Sequence, residues 1–249
     1  MSQNEKDRLE QIAGFYHSTE ATEAVDHFHL YLRDMAIPRE GGRSALELGC
    51  GSGRWTRVLC ERYQEVDAVD AAAELVEQVV NEMKNKGATI RGHVNLIEDF
   101  LESPGRTWHH VYLTMLLEHV EDPIDILVKA KRACDPDGSI FVAVPNASSI
   151  HRIVAMRAGL IGKIDELSKS DLKVGHRRVY TLDLLKHHLT AAGFSISEVI
   201  PVGLKPITHQ QMQALPDSVL WALCQSGDLA PNNPAYFVVK ATAGMHAST

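Results

Sequence analysis

Three glycines, Gly49, Gly51 and Gly53, lie in the stretch 47–53, which follows the apolar run Ser44-Ala45-Leu46. The pattern predicts a buried strand, a tight turn and a helix that starts near Arg54. In an open parallel sheet, ligands lie outside the carboxyl ends of the strands, where the first strand-to-helix turn brings the backbone close to the ligand. Glycine permits this approach because it carries no side chain. We therefore expect a ligand site at this turn.

The glycine spacing bears on the kind of ligand. A dinucleotide-binding turn has glycines at relative positions one, three and six. Counted from Gly49, the third position is Gly51, but the sixth is Arg54, and the third glycine comes early, at Gly53. The spacing therefore weakens a dinucleotide site and leaves a purely structural turn as an alternative.

The stretch Glu47-Leu48-Gly49-Cys50-Gly51-Ser52-Gly53 resembles the first motif of the class I S-adenosylmethionine-dependent methyltransferases, an acidic residue followed by G-x-G-x-G. The resemblance covers residues 43–202 strongly and both ends weakly. It is to small-molecule O- and N-methyltransferases of the ubiquinone-pathway and secondary-metabolite type, and it implies S-adenosyl-L-methionine as the cofactor. The residues of this turn that the resemblance places at the cofactor are Glu47, Gly49, Cys50, Gly51, Gly53 and Trp55.

An acidic residue at the end of the second predicted strand extends the resemblance. The strand is predicted over Val66–Asp70, with Asp70 at its end. A carboxylate there can accept hydrogen bonds from both ribose hydroxyls of a nucleoside, and a helix N-cap is the alternative role. Ala71, directly after it, is expected at the cofactor as well.

The stretch 92–100 predicts a third strand, which ends at Glu98-Asp99. In the family, an acidic residue at this place accepts a hydrogen bond from the adenine amino group, and the next backbone N–H meets a ring nitrogen. Asp99 and Phe100 match that pattern. A register slip of one residue would exchange Asp99 for Glu98.

The fourth predicted strand, Trp108–Thr114, leads into Leu117-Glu118-His119-Val120-Glu121-Asp122-Pro123. This run resembles the family's L-E-H-V-x-D-P signature. Asp122 is expected to cap the helix that Pro123 starts. The resemblance implies that the backbone of Thr114, Met115 and Leu116 holds the cofactor.

Strands and helices alternate from residue 43 to residue 200, which predicts right-handed crossovers and a mostly parallel sheet. The resemblance implies an α/β fold: a Rossmann-like, seven-stranded, mostly parallel sheet with helices on both faces, an antiparallel last strand and helical lid insertions. We expect residues 1–40 to form an N-terminal helical lid and residues 41–249 the methyltransferase domain, with insertions at about 147–180 and 205–234.

Further local patterns predict individual elements. Four apolar residues at helical spacing are expected to share one face of the lid helix: Val25, Phe28, Leu32 and Met35. Thr181 is expected to cap a helix that Gly193 closes. The remaining predicted elements are a turn at 135–138, strands at 139–144, 194–202 and 235–242, and a helix at 210–224.

Histidines and one tyrosine are the candidate catalytic residues. Methyl transfer needs the reacting atoms in line, and a hydroxyl or protonated amine acceptor must also lose a proton, which suits a histidine. Of the 13 histidines, His119 and His176 lie on loops at the expected active edge. Histidines at these places face the substrate in related methyltransferases; a structural hydrogen bond is the alternative. In related enzymes an N-terminal segment carries a tyrosine into the pocket, so Tyr16 is the third candidate, with aromatic packing as the alternative.

The same region allows a test for a metal site. It also resembles the small-RNA 3′-end methyltransferases, in which two carboxylates and two histidines surround a divalent ion. Glu118, His119 and His176 match three of these ligands, but Met115 stands where that family has its other Glu. A thioether is a poor ligand for a hard divalent cation, so we expect no metal.

The formal net charge of −7 argues against extended contact with nucleic acid phosphates or an anionic membrane. The segment 147–180 differs, because its seven basic and three acidic residues give it a charge of +4. A basic insertion beside the expected site points to an acceptor with a phosphate or carboxylate, and a solvated helix face is the alternative. The segment 205–234 either covers the substrate or joins two copies of the chain in a homodimer.

The chain is expected to be cytoplasmic. Its first residues are polar and charged, and no apolar run approaches about 18 residues, so neither a secretory signal nor a membrane span is predicted. Its four cysteines form no C-x-x-C pair and are expected to be reduced thiols.

Together these patterns predict transfer of a methyl group from S-adenosylmethionine to an oxygen or nitrogen of a small polar or anionic molecule. Two alternatives stay open: an RNA or protein methyltransferase, and a non-catalytic protein that only binds S-adenosylmethionine.

Overall fold

The computed structural model describes residues 23–243, which form a seven-stranded sheet. The strands are β1 Gly42–Leu48, β2 Tyr63–Asp70, β3 Thr89–Val94, β4 Trp108–Thr114, β5 Cys134–Pro145, β6 Ser195–Val202 and β7 Tyr236–Thr242. They lie in the order β3-β2-β1-β4-β5-β7-β6. Neighbours from β3 to β5 pair in parallel, whereas β7 lies between β5 and β6 and is antiparallel to both. The predicted fold class is confirmed.

Helices cover both faces of the sheet, because successive side chains of a strand point to opposite sides. Leu46 and Leu48 of β1 belong to one hydrophobic core, and Ala45 belongs to the core on the other face. The helices of the described part are α1 Glu23–Ala36, α2 Thr56–Arg62, α3 Ala73–Met83, α4 Ile97–Glu102, α5 Pro123–Ala133, α6 Ile150–Arg157, α7 Lys169–Lys173, α8 Leu182–Ala191, α9 His209–Met212 and α10 Asp217–Gln225, with a 3-10 helix at Ser226–Leu229.

The strand order reverses between β1 and β4. From β1 the chain continues to β2 and β3 on one side, and it then returns to β4 and β5 on the other. In open α/β sheets, ligands bind in the crevice outside the carboxyl ends of the strands at such a switch point. The glycine turn follows β1 and residues 114–116 stand at the end of β4. Both expected cofactor segments therefore lie at the switch point.

The first helix of the described part, α1, packs against the sheet through part of the predicted apolar face. Phe28 and Leu32 are fully buried, and Ala36 continues the same stripe at a spacing of four. Met35, predicted to share this face, is 37% exposed: it lies one position before Ala36, where the buried stripe continues. The side chain of Val25 lies outside the described part. The division into a lid at 1–40 and a domain at 41–249 stays a prediction.

The third strand differs from its prediction. β3 ends at Val94, where its pairing with β2 ends opposite Asp70. Residues 97–102 form helix α4 instead, with Glu98 and Asp99 in its first turn, where negative charge interacts favourably with the helix dipole. A short apolar run does not distinguish a strand from a helix, which is why the predicted strand end at Glu98-Asp99 is wrong.

Two further boundaries are corrected. Trp108 pairs with Cys134 and His110 with Ser139. Residues 135–138 are therefore an irregularity in the pairing within β5, and not a turn before the strand. The predicted helix at 210–224 is two helices, α9 and α10. Pro216 stands between them, and a proline has no backbone N–H to continue the first helix.

Two predicted helix starts are confirmed. The Asp122 carboxylate accepts hydrogen bonds from the backbone N–H groups of Ile124 and Asp125, each at 3.0 Å, and Pro123 starts α5. The Thr181 hydroxyl accepts a hydrogen bond from the Leu184 N–H at 3.2 Å at the start of α8.

The four cysteines are buried and unpaired. Between residues 23 and 243, none of the helices is long and apolar enough to cross a membrane.

Candidate active site

The glycine turn after β1 is held against the end of β2. The backbone N–H groups of Gly49 and Cys50 both donate to the Val69 carbonyl, at 2.8 and 3.1 Å. Gly49, Gly51 and Gly53 have φ values of +80°, +49° and +79°, a region that favours glycine. These three residues therefore give the chain the backbone conformation that lets it turn sharply out of the strand.

The glycines of the turn face different surroundings. A Cβ on Gly53 would lie 2.6 Å from Val79 Cγ2, so this glycine is needed where the turn packs on α3. A Cβ on Gly49 would lie 3.4 Å from Leu116 Cδ1, which puts the turn beside the end of β4. At Gly51 no described atom lies within 4 Å of that position. The open side of the turn is therefore at Gly51.

Asp70 joins the end of β2 to the turn. Its Oδ2 accepts a hydrogen bond from the Gly51 N–H at 2.9 Å, and its Oδ1 accepts one from the Ala72 N–H at 3.0 Å. A carboxylate has about four acceptor positions, so two remain for another donor. Ala71 between them is exposed.

Glu47 is a fully buried acid at the base of the turn. The Thr56 hydroxyl donates to its Oε2 at 2.6 Å, while its Oε1 has no partner among the described residues. Burial raises the pKa of Glu47 to about 8, although the hydrogen bond from Thr56 works against this.

Other expected cofactor residues of this region have diverse surroundings. Asp99 is exposed on the first turn of α4. The Phe100 ring is buried and lies 4.9 Å from the His93 ring, centroid to centroid. Trp55 is buried in the core on the α1 face, and Cys50 is buried at the turn. The contacts that these four residues make with a cofactor stay predictions.

The end of β4 has a strained backbone. Met115 has φ +54°, which is uncommon for a residue with a side chain, and its N–H donates to the Ala143 carbonyl at 2.8 Å. The neighbouring Thr114 Oγ1 is buried without a partner among the described residues. Such backbone conformations cluster at ligand sites, because they persist only where surrounding structure enforces them.

Beyond β4, an acid and two histidines come together. His119 and His176, far apart in the chain, have ring centroids 4.8 Å apart in an edge-to-face arrangement. Glu118 is 1% exposed, and neither of its carboxylate oxygens has a partner among the described residues. One ligand atom from each of the three residues lies within 4.8 Å of the others. The absence of a metal here stays a prediction.

Burial controls the ionisation of this group. It raises the pKa of Glu118 to about 7, with the charge of His176 opposing the rise. Asp171 orients His176, since His176 Nδ1 lies 3.1 Å from Asp171 Oδ1. Burial alone would raise the pKa of Asp171, but hydrogen bonds from His176 and Ser168 outweigh it, so the pKa lies below its ordinary value.

Three arginines of the basic segment 147–180 donate hydrogen bonds to backbone carbonyls of the protein. Buried Arg152 donates to the Ile164 and Glu166 carbonyls and pairs with Asp171 at 3.1 Å. The guanidinium of Arg177 donates to the His119 carbonyl at 3.1 Å. Arg178 donates to the carbonyls of Leu117, Val120 and Glu121. Arg177 and Arg178 fix the loop that carries Glu118 and His119, and Arg152 holds its own segment, so these three arginines are not a solvated face.

The structure thus brings together His119 and His176, and the glycine turn with Asp70 and Leu116. Tyr16 lies outside the described residues. Sequence reasoning considered Glu118 only as a metal ligand and missed it as a buried, unpaired acid. The available signal was its place directly after the apolar run Met115-Leu116-Leu117.

Residues 16–199 match the sequence model of a methyltransferase domain family. The chain belongs to this family, within the class I S-adenosylmethionine-dependent methyltransferases. S-adenosylmethionine is the cofactor of the class.

Curated relatives match over shorter stretches. The chain is 25% identical over 154 residues to the ubiquinone biosynthesis O-methyltransferase of Actinobacillus pleuropneumoniae serotype 7, a match that covers 59% of this chain and 66% of that protein. It is 29% identical over 110 residues to the Xylella fastidiosa protein of the same name, with 44% of each chain covered. The chain thus spans about half to two thirds of these relatives.

Solved structures share the fold. An S-adenosylmethionine-dependent methyltransferase from Mesorhizobium loti superposes with a TM-score of 0.57 at 20% sequence identity, covering 84% of this chain and 94% of that one. This similarity supports the Rossmann-like methyltransferase fold.

Proposed function

We propose that the protein transfers a methyl group from S-adenosylmethionine to a hydroxyl oxygen of a small polar or anionic molecule. The observation that carries the proposal is the buried Glu118 carboxylate, unpaired within the described structure, in one group with His119 and His176. A hydroxyl must give up its proton as its oxygen attacks, and a positioned carboxylate can accept it. The names of the two curated relatives, both O-methyltransferases, also favour oxygen over nitrogen.

The residues at the switch point fit the cofactor. Gly51 leaves open space beside the turn, and Asp70 keeps two acceptor positions for the ribose hydroxyls. Glu47 Oε1 and Thr114 Oγ1 are buried polar atoms without a described partner, which a ligand's polar groups can meet. We assign to the cofactor the turn 47–53, Asp70 and the backbone of 114–116, with Asp99 toward the adenine.

When bound, the cofactor supplies a methyl group activated by a positively charged sulfur. The protein's own task is to orient the acceptor and to handle its proton. His119 and His176 flank the acceptor hydroxyl, and Glu118 takes its proton onto an unpaired oxygen. Because the pKa of Glu118 lies at about 7, an appreciable part of this carboxyl is ionised at neutral pH and the proton transfer is well matched.

The test is the rate of S-adenosylhomocysteine formation with a panel of small phenols, alcohols and amines. Glu118→Gln keeps the shape of the side chain but cannot accept a proton, so kcat is expected to fall by about 100-fold or more. Glu121→Gln, an exposed acid on the same loop, is the matched control and is expected to keep its rate.

Each alternative has its own result in this assay. Full activity of Glu118→Gln would contradict the assignment of the base. Product only with RNA or protein would favour that substrate class, and cofactor binding without any product would favour a non-catalytic role.

A further inference from the structure

A lysine and three histidines from four separate segments form a second polar cluster. His29 lies on α1, His151 on α6, Lys205 follows β6, and His209 starts α9. We call these four residues the Lys205 cluster. Lys205 contacts His209 through its side chain and His151 through its backbone carbonyl, and its charge also acts on His29, so the four residues share one region of the protein.

The contact between Lys205 and His209 leaves a free donor. Lys205 Nζ lies 3.2 Å from His209 Nδ1. An ammonium group only donates, so Nδ1 accepts and the ring proton is on Nε2. That Nε2 is buried and has no partner among the described residues. A buried N–H without an acceptor is costly, so a ligand oxygen at this point would be stabilised.

The other members are also held in place. His29 Nε2 lies 3.5 Å from the Tyr236 hydroxyl, and His151 Nδ1 lies 2.9 Å from the Ser149 hydroxyl. The backbone N–H of His151 donates to the backbone carbonyl of Lys205 at 2.9 Å, which holds α6 against the segment after β6.

The cluster carries one positive charge. Burial lowers the pKa values of His29 to about 4 and of His151 to about 3, and it also lowers the pKa of His209, so the three rings are neutral at pH 7. Burial lowers the pKa of Lys205 only to about 8, so its ammonium group persists. Two further charges act on Lys205, from Asp171 and Arg152, and these pair with each other at 3.1 Å. Among residues 23–243, no carboxylate forms an ion pair with Lys205.

The Lys205 cluster adjoins the group around Glu118. The charge of Glu118 contributes to raising the pKa of Tyr236, whose hydroxyl faces His29. Asp171 connects the two groups, since it bonds to His176 and also to Arg152, the neighbour of His151 on α6. A small molecule with its hydroxyl at Glu118 can therefore extend to the Lys205 cluster.

We propose that the Lys205 cluster binds a carboxylate group of the methyl acceptor, with the Lys205 ammonium and the His209 Nε2–H as its donors. This inference rests on the proposed function, because it places the acceptor's hydroxyl at Glu118. A single cation with neutral N–H donors matches a monoanion and leaves a phosphate dianion incompletely neutralised. The acceptor class is therefore a hydroxylated carboxylic acid.

The test compares two probes of equal shape, 3,4-dihydroxybenzoate and 3,4-dihydroxybenzamide, by calorimetry on the full chain saturated with S-adenosylhomocysteine. The benzoate is expected to bind at least about tenfold more tightly than the benzamide, because the loss of a hydrogen bond between charged groups weakens binding by about this factor. Lys205→Met is expected to remove the preference, and Lys205→Arg to restore part of it. Lys163→Met, an exposed lysine of the 147–180 segment, is the control and is expected to keep the preference.

Unchanged S-adenosylhomocysteine affinity in each variant shows that the variant is folded. Equal binding of the two probes, binding of neither, or a preference that survives Lys205→Met would overturn the proposal. Methyl transfer is scored separately. If the amide is methylated as fast as the benzoate, the proposed function stands and the carboxylate site fails. If the benzoate binds through Lys205 but no S-adenosylhomocysteine forms from S-adenosylmethionine with it or with any other hydroxyl compound of the panel, the carboxylate site stands and the proposed function fails.

Discussion

Glu118 acts as a base only in its ionised form, so its pKa sets a pH dependence. Burial raises that pKa to about 7. The group loses its proton as the pH rises, and turnover is therefore expected to increase through about pH 7 and to level off above it. Measuring kcat across neutral pH checks this. In Glu118→Gln the residual rate is expected to be flat over the same interval. A wild-type profile that falls through pH 7 would contradict the assignment.

Asp70 is expected to hold the cofactor through its two remaining acceptor positions. Asp70→Ala should weaken S-adenosylhomocysteine binding by about 1 to 3 kcal/mol, the range for lost charged hydrogen bonds. Calorimetry measures it. Asp70→Asn separates loss of the ribose contact from loss of the hydrogen bond that holds the turn. The amide oxygen of Asn can still accept from the Gly51 N–H, which lies 2.9 Å from the Asp70 carboxylate. Unchanged affinity in Asp70→Ala would remove the ribose assignment.

Glu47 is expected to make stability fall with rising pH. Its pKa is 4.5 in the unfolded chain and about 8 in the fold, where burial disfavours the charge. Between these values the folded state binds more protons than the unfolded state, so the free energy of unfolding decreases as the pH rises from about 4.5 to about 8, by on the order of a few kcal/mol. Urea denaturation at several pH values measures this slope. Glu47→Gln should make the free energy of unfolding depend less steeply on pH. Glu61→Gln, at an exposed acid, is the control and should keep the wild-type slope. Equal slopes in the wild type and both variants would refute the role of Glu47.

At the scale of elements, two glycines of the turn after β1 have different roles: Gly53 packs against α3, whereas Gly51 lies on the open side where we place the cofactor. Gly53→Ala should lower the free energy of unfolding by about 2 to 4 kcal/mol. The new Cβ would collide with Val79, and the alanine would have to adopt a φ that is unfavourable for a residue with a side chain. Gly51→Ala has only the φ penalty, about 1 kcal/mol, but its Cβ enters the open side of the turn. Thermal unfolding and S-adenosylhomocysteine calorimetry check both. If Gly51→Ala binds the ligand as well as the wild type does, this side of the turn is not the cofactor site.

Elements with local signals were predictable from sequence. The cap and proline at Asp122-Pro123 define the start of α5, since a capping carboxylate and a fixed φ act within one turn of helix. Residues 97–102 carried no such signal: the short run fits either a strand or a helix, and the end of pairing between β2 and β3 at Val94 decides for the helix. The exposed Met35 shows the same limit, because one position around a helix separates buried from exposed.

At the scale of the whole molecule, the strand order predicts where ligands bind but not which acceptor is used. Motifs at the ends of parallel strands meet at one edge of the sheet, so the glycine turn, Asp70 and residues 114–116 could be placed together from sequence alone. The Lys205 cluster could not, because its members come from α1, α6, the segment after β6 and α9, and only tertiary packing joins them. The basic segment 147–180 predicted an anionic acceptor, but Arg177 and Arg178 hold the loop at Glu118, and buried Arg152 pairs with Asp171 inside the segment.

The most direct test of the central claim uses S-adenosylmethionine labelled in its methyl group and 3,4-dihydroxybenzoate as the acceptor, with the products analysed by mass spectrometry and NMR. The account predicts that the label appears on a phenolic oxygen and that S-adenosylhomocysteine forms in equal amount. Cofactor that binds at the glycine turn while the label stays on it, with this acceptor and with every other small hydroxyl compound tried, would contradict the claim.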